Sequence, residues 1–329
     1  MKAQIVETFG GPEVFRTAEI ETPSPKAGEV LIRVHATSVN PVDTKIRAGG
    51  RSIAPELPAV LHGDVAGVVE RVGEGVTAFV PGDEVYGCAG GVKGTGGALA
   101  EYMAADARLL ARKPSNLSFR EAAALPLVTL TAWEGLVDKA RVQPGDRVLV
   151  MGGTGGVGHV AVQLAKLRGA EVFATVSSED KARIARDLGA HVAIDRRALS
   201  AEEMVARHAG GLGFDVVFDS VGGDNLYPAM TAARPHGQVA TTVAMQTFDL
   251  TTAHVKGLSI HVVFMLVPML YDLNRAHHGE VLAEVAKAVE AGKLRPLLDK
   301  TSFTLEQAGD AHARLASGQA VGKVVIDVA

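Results

Sequence analysis

Three glycines follow an apolar strand and open a helix in the segment VLVMGGTGGVGHV, where they stand at positions 153, 155 and 158. In this spacing, Gly153 permits a tight turn after the strand, Gly155 lets the backbone approach a pyrophosphate, and Gly158 lets the helix lie close to the strand. The helix N-terminus then directs free N–H groups and a positive dipole at phosphates. We therefore predict a dinucleotide site that also includes Gly156 and Val157. The alternative is a glycine-rich packing turn that binds no ligand.

The end of the next strand, about 20 residues further on, carries the residues that meet the adenosine ribose in such sites. An NAD site has Asp or Glu there, whereas EVFATVSSEDK has Val176 followed by Ser177 and Ser178, with Lys181 one turn into the helix. Hydroxyls and an ammonium favour a 2′-phosphate, which a carboxylate would repel. The sequence therefore predicts NADP(H). It is also compatible with Ser177 as a simple helix cap and Lys181 as a solvated side chain.

These residues belong to a region of alternating strands and helices. From Asp146 onward, helical segments separate the strands RVLVM, EVFATV, HVAID, DVVFDSV, QVATTV and LSIHVVF. Such alternation builds a parallel sheet covered on both faces, and ligands bind at the carboxyl ends of its strands. Ser220, in the SVGG sequence after the fourth strand, is therefore a further candidate for cofactor contact. The apolar run from Leu258 is predicted to be a buried strand followed by a pocket-lining loop.

The regions on either side have a different pattern. Residues 1–115 contain short apolar segments punctuated by TPSPKAGE, VGEGV and VPGDEVYG, which is typical of a partly closed β-barrel. The tail has two helical segments and a last strand, KVVIDVA, for which the parallel sheet offers no obvious place. We predict a first domain over residues 1–123, a dinucleotide-binding domain over 124–268, and a return of 269–329 to the first domain.

Composition argues against several other classes of function. The 329 residues include 33 Lys and Arg against 37 Asp and Glu, so charge gives no reason to expect a nucleic acid or an anionic membrane as partner. Cys88 is the only cysteine, which rules out an internal disulfide and a cysteine zinc cluster and favours a reducing compartment. With no signal-peptide pattern in MKAQIVETFGG and no apolar stretch of membrane-spanning length, the sequence predicts a cytoplasmic protein.

The order of a small β domain, a Rossmann unit and a returning tail resembles the medium-chain dehydrogenase/reductase superfamily, and most closely its zinc-free quinone oxidoreductase and enone reductase branch. The resemblance covers essentially the whole chain and rests on SVNPVDTKIRAG, HGDVAGVVERVG, VPGDEVYG, LPLVTLTAWEGL, GGTGGVG, FDSVGG and GKVVIDV. It implies an α/β fold that combines a doubly wound parallel Rossmann sheet with a GroES-like, partly open β-barrel domain. It also implies a homodimer.

The same resemblance bears on the metal. Zinc-dependent relatives have ligands at the positions that align with Asn40, Gly63 and Leu127, and this chain has none of those ligand residues. We therefore expect no zinc. His62 and Asp64 lie close by in the sequence, which leaves a zinc-dependent alcohol dehydrogenase with a degenerate site as an alternative.

Without a metal, hydrogen-bond donors must stabilise the negative oxygen that forms during reduction. The resemblance places Asn40 beside the nicotinamide, where its amide can donate. It places Lys45 on the same segment and Thr131 where the chain passes the nicotinamide. These three are the predicted catalytic residues. Lys45 as a solvated surface lysine is equally compatible with the sequence.

The resemblance also extends the set of cofactor contacts. It places Thr242 near the cofactor and makes Lys323, in GKVV, a candidate for a phosphate or carboxamide contact. Asp195 departs from the family pattern, since many relatives have Tyr at this position near the adenosine ribose. The contacts on the adenosine side are therefore left open by the sequence.

The residues and the resemblance together predict an NADPH-dependent, zinc-free oxidoreductase that transfers hydride to a quinone or an α,β-unsaturated carbonyl. The sequence does not separate these acceptors, because both offer an electron-poor conjugated carbon system. A protein that keeps NADPH without turnover, as in lens crystallins of the family, is the alternative from another functional class.

Overall fold

The computed structural model describes residues 1–50 and 52–329, which form two compact units. The first unit comprises Met1–Leu127, Leu266–Gly292 and Pro296–Ala329, and the second comprises Val128–Met265 with Lys293–Arg295. The structure thus divides the chain after residue 127 and after residue 265, whereas the sequence predicts divisions after residues 123 and 268. The short segment Lys293–Arg295 belongs to the second unit, where the Gln163 side chain bonds the Arg295 backbone as donor and as acceptor, each at 2.9 Å.

The N-terminal part of the first unit consists mainly of antiparallel strands. Its elements are β1 (Lys2–Val6), β2 (Phe15–Glu19), β3 (Glu29–Val39), α1 (Pro41–Gly49), β4 (Ala59–Val60), β5 (Asp64–Val72), β6 (Glu84–Cys88), β7 (Tyr102–Asp106), β8 (Leu110–Arg112) and α2 (Phe119–Ala123). A three-stranded sheet has the order β2-β1-β4. The long strand β3 pairs with β5 over most of its length and with β7 at its N-terminal half, so most of its side chains are buried.

The second unit alternates strands with helices, and it begins within α3, at Val128. Its elements are α3 (Pro126–Trp133), a π-helical segment (Glu134–Lys139), β9 (Arg147–Met151), α4 (Gly158–Leu167), β10 (Glu171–Val176), α5 (Glu179–Asp187), β11 (Val192–Asp195), α6 (Ala201–His208), β12 (Phe214–Asp219), α7 (Leu226–Ala232), β13 (Ala233–Thr241), α8 (Thr251–Lys256) and β14 (Ser259–Val262). After their first residue, β9 and β10 are buried throughout, as expected for central strands of a parallel sheet.

All strand pairs of this unit are parallel, and the sheet has the order β11-β10-β9-β12-β13-β14. Strands β10 and β11 extend the sheet to one side of β9, and β12 to β14 extend it to the other. The order therefore reverses between β9 and β12, which is the position where open parallel sheets bind their ligands. The glycine loop follows β9 and lies at this switch point.

The apolar run from Leu258 does not form the buried strand that the sequence predicts. It forms β14, the edge strand of the sheet, whose side chains are half-buried or exposed, and Val262 is 51% exposed. An unbroken apolar run is typical of a strand covered on both faces, but it carries no information about which strand has a neighbour on only one side. No helix in the described part of the chain is long and apolar enough to cross a membrane.

The last part of the chain adds α9 (Val267–Tyr271), α10 (Ala276–Glu290), β15 (Phe303–Thr304), α11 (Ala308–Ala316) and β16 (Val324–Asp327). Strand β16 pairs antiparallel with β3 and parallel with β15. This completes a seven-stranded sheet with the order β15-β16-β3-β5-β6-β8, to which β7 is joined through β3. Residues near both ends of the printed sequence thus build the same sheet.

Candidate active site

The glycine loop joins β9 to α4 at the carboxyl edge of the parallel sheet. Its turn depends on Gly152, which has a φ of +77°, a left-handed conformation that favours glycine. Gly153 has a different reason to be glycine, because an ideal Cβ there would lie 2.6 Å from the Cβ of Ala174 on β10. The tight-turn role that the spacing assigns to Gly153 therefore belongs to Gly152. At Gly158, a Cβ would overlap the Gly152 carbonyl oxygen, so the helix approaches the strand closely here.

The other side of the loop is open. A Cβ at Gly155 would have one neighbour within 4 Å, the Gly152 carbonyl oxygen at 3.3 Å, and Gly155 itself is exposed. Within the described chain, the backbone N–H groups of Gly156 and Val157 have no hydrogen-bond acceptor. Two free donors at the beginning of α4 form a site for an anionic group, and the phosphates of a dinucleotide have this chemistry.

The end of β10 brings together two serines and a lysine. Ser178 is the N-cap of α5, and its Oγ accepts a hydrogen bond from the Lys181 backbone N–H at 3.2 Å. The helix cap is thus Ser178, and not Ser177 as the capping interpretation of the sequence has it. The Lys181 ammonium donates to Ser177 Oγ at 3.4 Å. These three residues follow Val176, where an NAD site would have a carboxylate.

Asp219 organises the ends of β12 and β13, a role that its place in the FDSVGG motif did not indicate. Its buried carboxylate accepts hydrogen bonds from two backbone N–H groups of the following turn and from a hydroxyl on β13, at 2.9 to 3.0 Å. Ser220 Oγ donates to the Met151 carbonyl oxygen at 2.6 Å, which brings Ser220 beside the glycine loop. The Thr242 N–H donates to the Asp219 carbonyl oxygen at 3.1 Å, so the ends of the two strands are held together.

In the first unit, Asn40 is fully buried between β3 and α1 and has its amide group held at both ends. Its Nδ2 donates to Asp64 Oδ2 at 2.8 Å, and a longer contact of 3.5 Å reaches the Ser38 carbonyl oxygen. Its Oδ1 accepts a hydrogen bond from the Lys323 ammonium. The amide of Asn40 is therefore locked in one orientation by a carboxylate on one side and an ammonium on the other.

The sequence predicts that Lys323 contacts the cofactor, but in the structure its ammonium contacts other groups of the protein. Only 2% of its side chain is exposed, and its ammonium also lies 3.2 Å from the Val39 carbonyl oxygen and 3.5 Å from Asp64 Oδ2. Burial lowers the pKa of this ammonium, and the Asp64 carboxylate opposes the shift. Lys323 thus donates to Asn40, and no sequence pattern indicates this pairing because the two residues are 283 positions apart.

Asp64, which the sequence suggested only as part of a degenerate zinc site, connects this cluster to the neighbouring segments. One carboxylate oxygen accepts hydrogen bonds from the Ser38 hydroxyl at 2.6 Å and from Asn40, and the other accepts the Leu127 N–H at 2.8 Å. Three donors and a nearby ammonium compensate this fully buried charge.

Asp43, which lies one turn into α1, is buried close to the same cluster. Its Oδ2 accepts the Asn40 backbone N–H at 2.8 Å, in a capping box at the beginning of the helix. Burial, followed by the charge of Asp64, raises the pKa of the Asp43 carboxyl from 3.8 to about 7. The folded protein therefore keeps a proton on Asp43 at pH values where the unfolded chain has lost it.

This difference predicts a pH-dependent effect of Asp43→Asn. Because the folded state binds the extra proton, the contribution of Asp43 to stability falls as pH rises from about 4 to about 7. The neutral amide keeps an acceptor for the Asn40 N–H and should remove this fall. As pH rises over that range, the free energy of unfolding of the variant should increase relative to that of the wild type by up to about 1.4 kcal/mol per pH unit. Urea unfolding at several pH values measures this, and a parallel pH dependence of variant and wild type would contradict it.

The two other predicted catalytic residues lie in different units. Lys45 is half-buried on α1 in the first unit, and no carboxylate of the described chain lies within ion-pair distance of its ammonium. Thr131 is on α3 in the second unit, with 6% of its surface exposed.

Comparison with known proteins places the chain in a family. The alcohol dehydrogenase GroES-like domain matches residues 26–115, and the zinc-binding dehydrogenase family matches residues 188–326. The chain is 37% identical to 2-methylene-furan-3-one reductase of Solanum lycopersicum, over 99% of this chain and 79% of that protein. It is 31% identical to quinone oxidoreductase of Homo sapiens, over 99% and 97% of the two chains. The chain belongs to the medium-chain dehydrogenase/reductase superfamily. Its relatives there are quinone oxidoreductases and enone reductases.

A solved structure of this superfamily agrees with the fold. Escherichia coli quinone oxidoreductase, solved in complex with NADPH, matches with a TM-score of 0.89 at 27% identity, covering 99% of this chain and 100% of that one. The predicted fold class, a Rossmann sheet combined with a GroES-like domain, is thereby confirmed.

Zinc-dependent members of the superfamily raise the question of a metal, and the donor residues here do not fit one. At Gly63, an ideal Cβ would lie 2.9 Å from the Gly90 carbonyl oxygen and 3.0 Å from Cys88 Sγ, so this position leaves no room for a histidine. In the part of the chain that the structure describes, no group of three or more His, Cys, Asp or Glu residues is arranged to hold a metal ion.

The two residues that suggested a degenerate zinc site have other partners. His62 has both ring nitrogens engaged, Nδ1 with Thr37 Oγ1 at 3.2 Å and Nε2 with His312 Nε2 at 2.8 Å. The Asp64 carboxylate faces the Lys323 ammonium, whose positive charge opposes the binding of a second cation. Neither side chain is available as a zinc ligand in this arrangement.

Proposed function

We propose that this protein is an NADPH-dependent reductase that transfers hydride to a quinone or an α,β-unsaturated carbonyl compound without zinc. One observation carries the proposal. Free backbone N–H groups stand at the switch point of a parallel sheet, and the neighbouring strand β10 ends at Val176 without a carboxylate. The relatives named quinone oxidoreductase and 2-methylene-furan-3-one reductase support these two classes of acceptor.

The cofactor site that we propose lies within the second unit. Its residues are Gly153, Gly155, Gly156, Val157 and Gly158 of the glycine loop, Ser177, Ser178 and Lys181 after β10, and Ser220 and Thr242 at the neighbouring strand ends. The loop provides N–H donors for a pyrophosphate, and the end of β10 provides hydroxyls and an ammonium for a 2′-phosphate. The NADPH complex of the Escherichia coli quinone oxidoreductase supports this choice of cofactor.

Lys181→Ala should separate the two nicotinamide cofactors. NADPH affinity should fall by roughly 10-fold, because one charge-assisted hydrogen bond to the 2′-phosphate is lost, whereas NADH affinity should change less than about twofold. Fluorescence titration of the purified protein measures both dissociation constants. Lys166→Ala, at an exposed position on α4, is the matched control. Equal losses for NADPH and NADH would remove Lys181 from the phosphate site.

In the proposed reaction, bound NADPH supplies the hydride, and side chains act where zinc acts in metal-dependent relatives. The Asn40 amide, predicted as a further donor, is fully buried, and its Nδ2 is directed at Asp64 and the Ser38 carbonyl oxygen, so in this arrangement Asn40 holds the segment before α1 in place and has no free donor for the acceptor oxygen. Lys45 and Thr131 are the proposed hydrogen-bond donors to that oxygen. The Lys45 ammonium suits this role because its charge is not neutralised by a described carboxylate.

We propose that the protein functions without zinc because Lys323 stands where a second cation would be repelled, and because His62 has no free ring nitrogen. Metal analysis of active protein should give well below one zinc per chain, and activity should survive dialysis against a strong chelator. Stoichiometric zinc together with loss of activity on chelation would establish the degenerate-site alternative.

An acceptor panel tests the function itself. NADPH oxidation is followed by absorbance with benzoquinones, naphthoquinones, enones and enals, and Thr131→Val and Lys45→Met serve as variants in the proposed catalytic machinery. Turnover on at least one class, reduced in these variants, is the expected result. Tight NADPH binding without turnover on any acceptor would instead favour the non-catalytic, crystallin-like alternative.

We also propose a homodimer in the cytoplasm. The edge strand β14 leaves one side unpaired in the described chain, and Val262 and Phe264 are 51% and 40% exposed there. Such an edge is a natural place for a second copy to pair. Cys88 is a free, buried thiol, which is compatible with a reducing compartment. Light scattering of the purified protein tests the dimer, with Val262→Lys as the variant that should give monomers.

A further inference from the structure

The carboxyl ends of β10 and β11 lie side by side, and β11 ends in an acidic residue. In the parallel pairing of the two strands, Val176 is the register partner of Asp195. The Arg196 N–H continues the ladder by donating to the Val176 carbonyl oxygen at 3.0 Å. Adjacent strands are about 4.8 Å apart, so the Asp195 backbone directly neighbours the position where a ribose-binding carboxylate would stand. A carboxylate that is missing on β10 is thus present on the next strand.

This carboxylate is fully engaged by one arginine. Arg197 donates to Asp195 Oδ1 from its backbone N–H at 2.9 Å and from Nε at 3.1 Å, and to Oδ2 from Nη2 at 2.8 Å. The two side chains are 62% and 38% exposed, so the pair is accessible to solvent and ligands. The hydrogen bonds from Arg197 are the main cause that lowers the pKa of Asp195 to about 2. Asp195 therefore keeps its negative charge at neutral pH, and the Arg197 guanidinium is the main group that compensates this charge, with a smaller contribution from Arg196.

The two acidic residues in the first turn of α5 are also paired with arginines, and two cations near this edge have no such partner. On α5, Glu179 bonds Arg186 at 3.1 Å and Asp180 bonds Arg183. Among the described residues, no carboxylate lies within ion-pair distance of the Lys181 or Arg196 side chains. The edge that would receive a 2′-phosphate therefore has a net positive charge only as long as its carboxylates remain neutralised.

We propose that Arg197 sets the preference for a phosphorylated ribose by neutralising the Asp195 carboxylate at this edge. The inference rests on the proposed NADPH site and adds a determinant of its specificity. Arg197 is not a phosphate ligand in this proposal. It acts through Asp195, because its guanidinium pairs with the Asp195 carboxylate and neutralises its charge. Without Arg197, Asp195 repels the 2′-phosphate of NADPH and offers an acceptor for the ribose hydroxyls of NADH. A latent NADH site is thus present in the chain and is masked by one ion pair.

A double-mutant cycle separates masking from direct contact. Dissociation constants of NADPH and NADH, and of the fragments 2′,5′-ADP and 5′-AMP, are measured by calorimetry for the wild type, Arg197→Gln, Asp195→Asn and the double variant. The fragments lack the nicotinamide, so they report on the adenosine side without any activity measurement. Arg147→Gln is the matched control, because Arg147 pairs with Glu171 in a comparably exposed ion pair at the amino ends of β9 and β10, opposite to the proposed site.

Masking predicts that Arg197→Gln weakens NADPH and 2′,5′-ADP by about tenfold, with less than about a twofold loss for NADH and 5′-AMP. The double variant should recover affinity for both phosphorylated ligands to within about twofold of the wild type, because the repelling charge is then gone. The loss in Arg197→Gln should also shrink at high salt. The inference is overturned if Arg197→Gln keeps the wild-type preference for NADPH over NADH. It is also overturned if the double variant binds NADPH as weakly as Arg197→Gln does, since that result identifies Arg197 as a direct phosphate ligand. If the wild type binds neither NADPH nor 2′,5′-ADP, the proposed function itself is wrong.

Discussion

Gly155→Val is expected to fold like the wild type and to lose at least about 100-fold in NADPH affinity. The position is open in the protein, since the one atom within 4 Å of an ideal Cβ is the Gly152 carbonyl oxygen at 3.3 Å. The added side chain therefore lies in the space proposed for the pyrophosphate, and it prevents the phosphates from reaching the N–H groups of Gly156 and Val157. Two charge-assisted hydrogen bonds, each contributing about 1.5–3 kcal/mol, account for the size of the loss.

Binding and stability are measured together to interpret this variant. Thermal unfolding should be close to that of the wild type, and Gly155→Ala should lose less affinity than Gly155→Val. Gly158→Ala serves as the contrast, because its Cβ overlaps the Gly152 carbonyl oxygen and should destabilise the fold itself. A Gly155→Val protein that is stable and binds NADPH normally would show that the cofactor does not use this loop.

Lys323→Met should have the largest effect on stability, lowering the free energy of unfolding by about 3–5 kcal/mol. The substitution removes a buried ammonium and leaves the buried Asp64 carboxylate without its compensating charge, while the Asn40 amide loses the donor to its Oδ1. Urea unfolding of the variant and the wild type at neutral pH measures this loss.

The control for this prediction is Lys287→Met. Lys287 is 73% exposed and meets Glu284 at 3.0 Å, an exposed pair of the kind that contributes at most about 1 kcal/mol. If Lys323→Met were no more destabilising than Lys287→Met, the ammonium of Lys323 would not be a compensating charge. Lys323→Arg provides a further comparison, since it keeps the charge but has a bulkier head group in a fully buried position.

The parts of the fold and site that follow from sequence are those fixed by local constraints. The glycine spacing, the strand before it and the helix after it are adjacent in the chain, and the resulting loop was predicted at the right place. The finer roles were not all assigned correctly. A pair of neighbouring glycines does not reveal which one takes the positive φ, and Gly152 does so here. Two neighbouring serines likewise do not reveal which one caps the helix, and Ser178 is the cap.

The parts that did not follow from sequence depend on long-range contacts. The resemblance predicts a catalytic role for Asn40, but its partners Asp64 and Lys323 are 24 and 283 positions away, and no pattern connects them. Asp219 was missed for a related reason, since its role is to hold the backbone of a turn and a hydroxyl on another strand. The exposed edge strand β14 was taken for a buried one because hydrophobicity alone does not specify how many neighbours a strand has.

The position of β16 between β15 and β3 in the seven-stranded sheet has a consequence for biosynthesis. The second unit draws its six strands from the continuous stretch between residues 147 and 262, so a ribosome delivers all of them before the tail is made. The first unit is completed later, because on the edge of β3 that β7 covers only over residues 29–33, residues 36–39 have no partner until residues 324–327 have emerged. The nascent N-terminal region therefore carries an unsatisfied β-edge through most of translation, and this is the stage at which chaperones would have the most to protect.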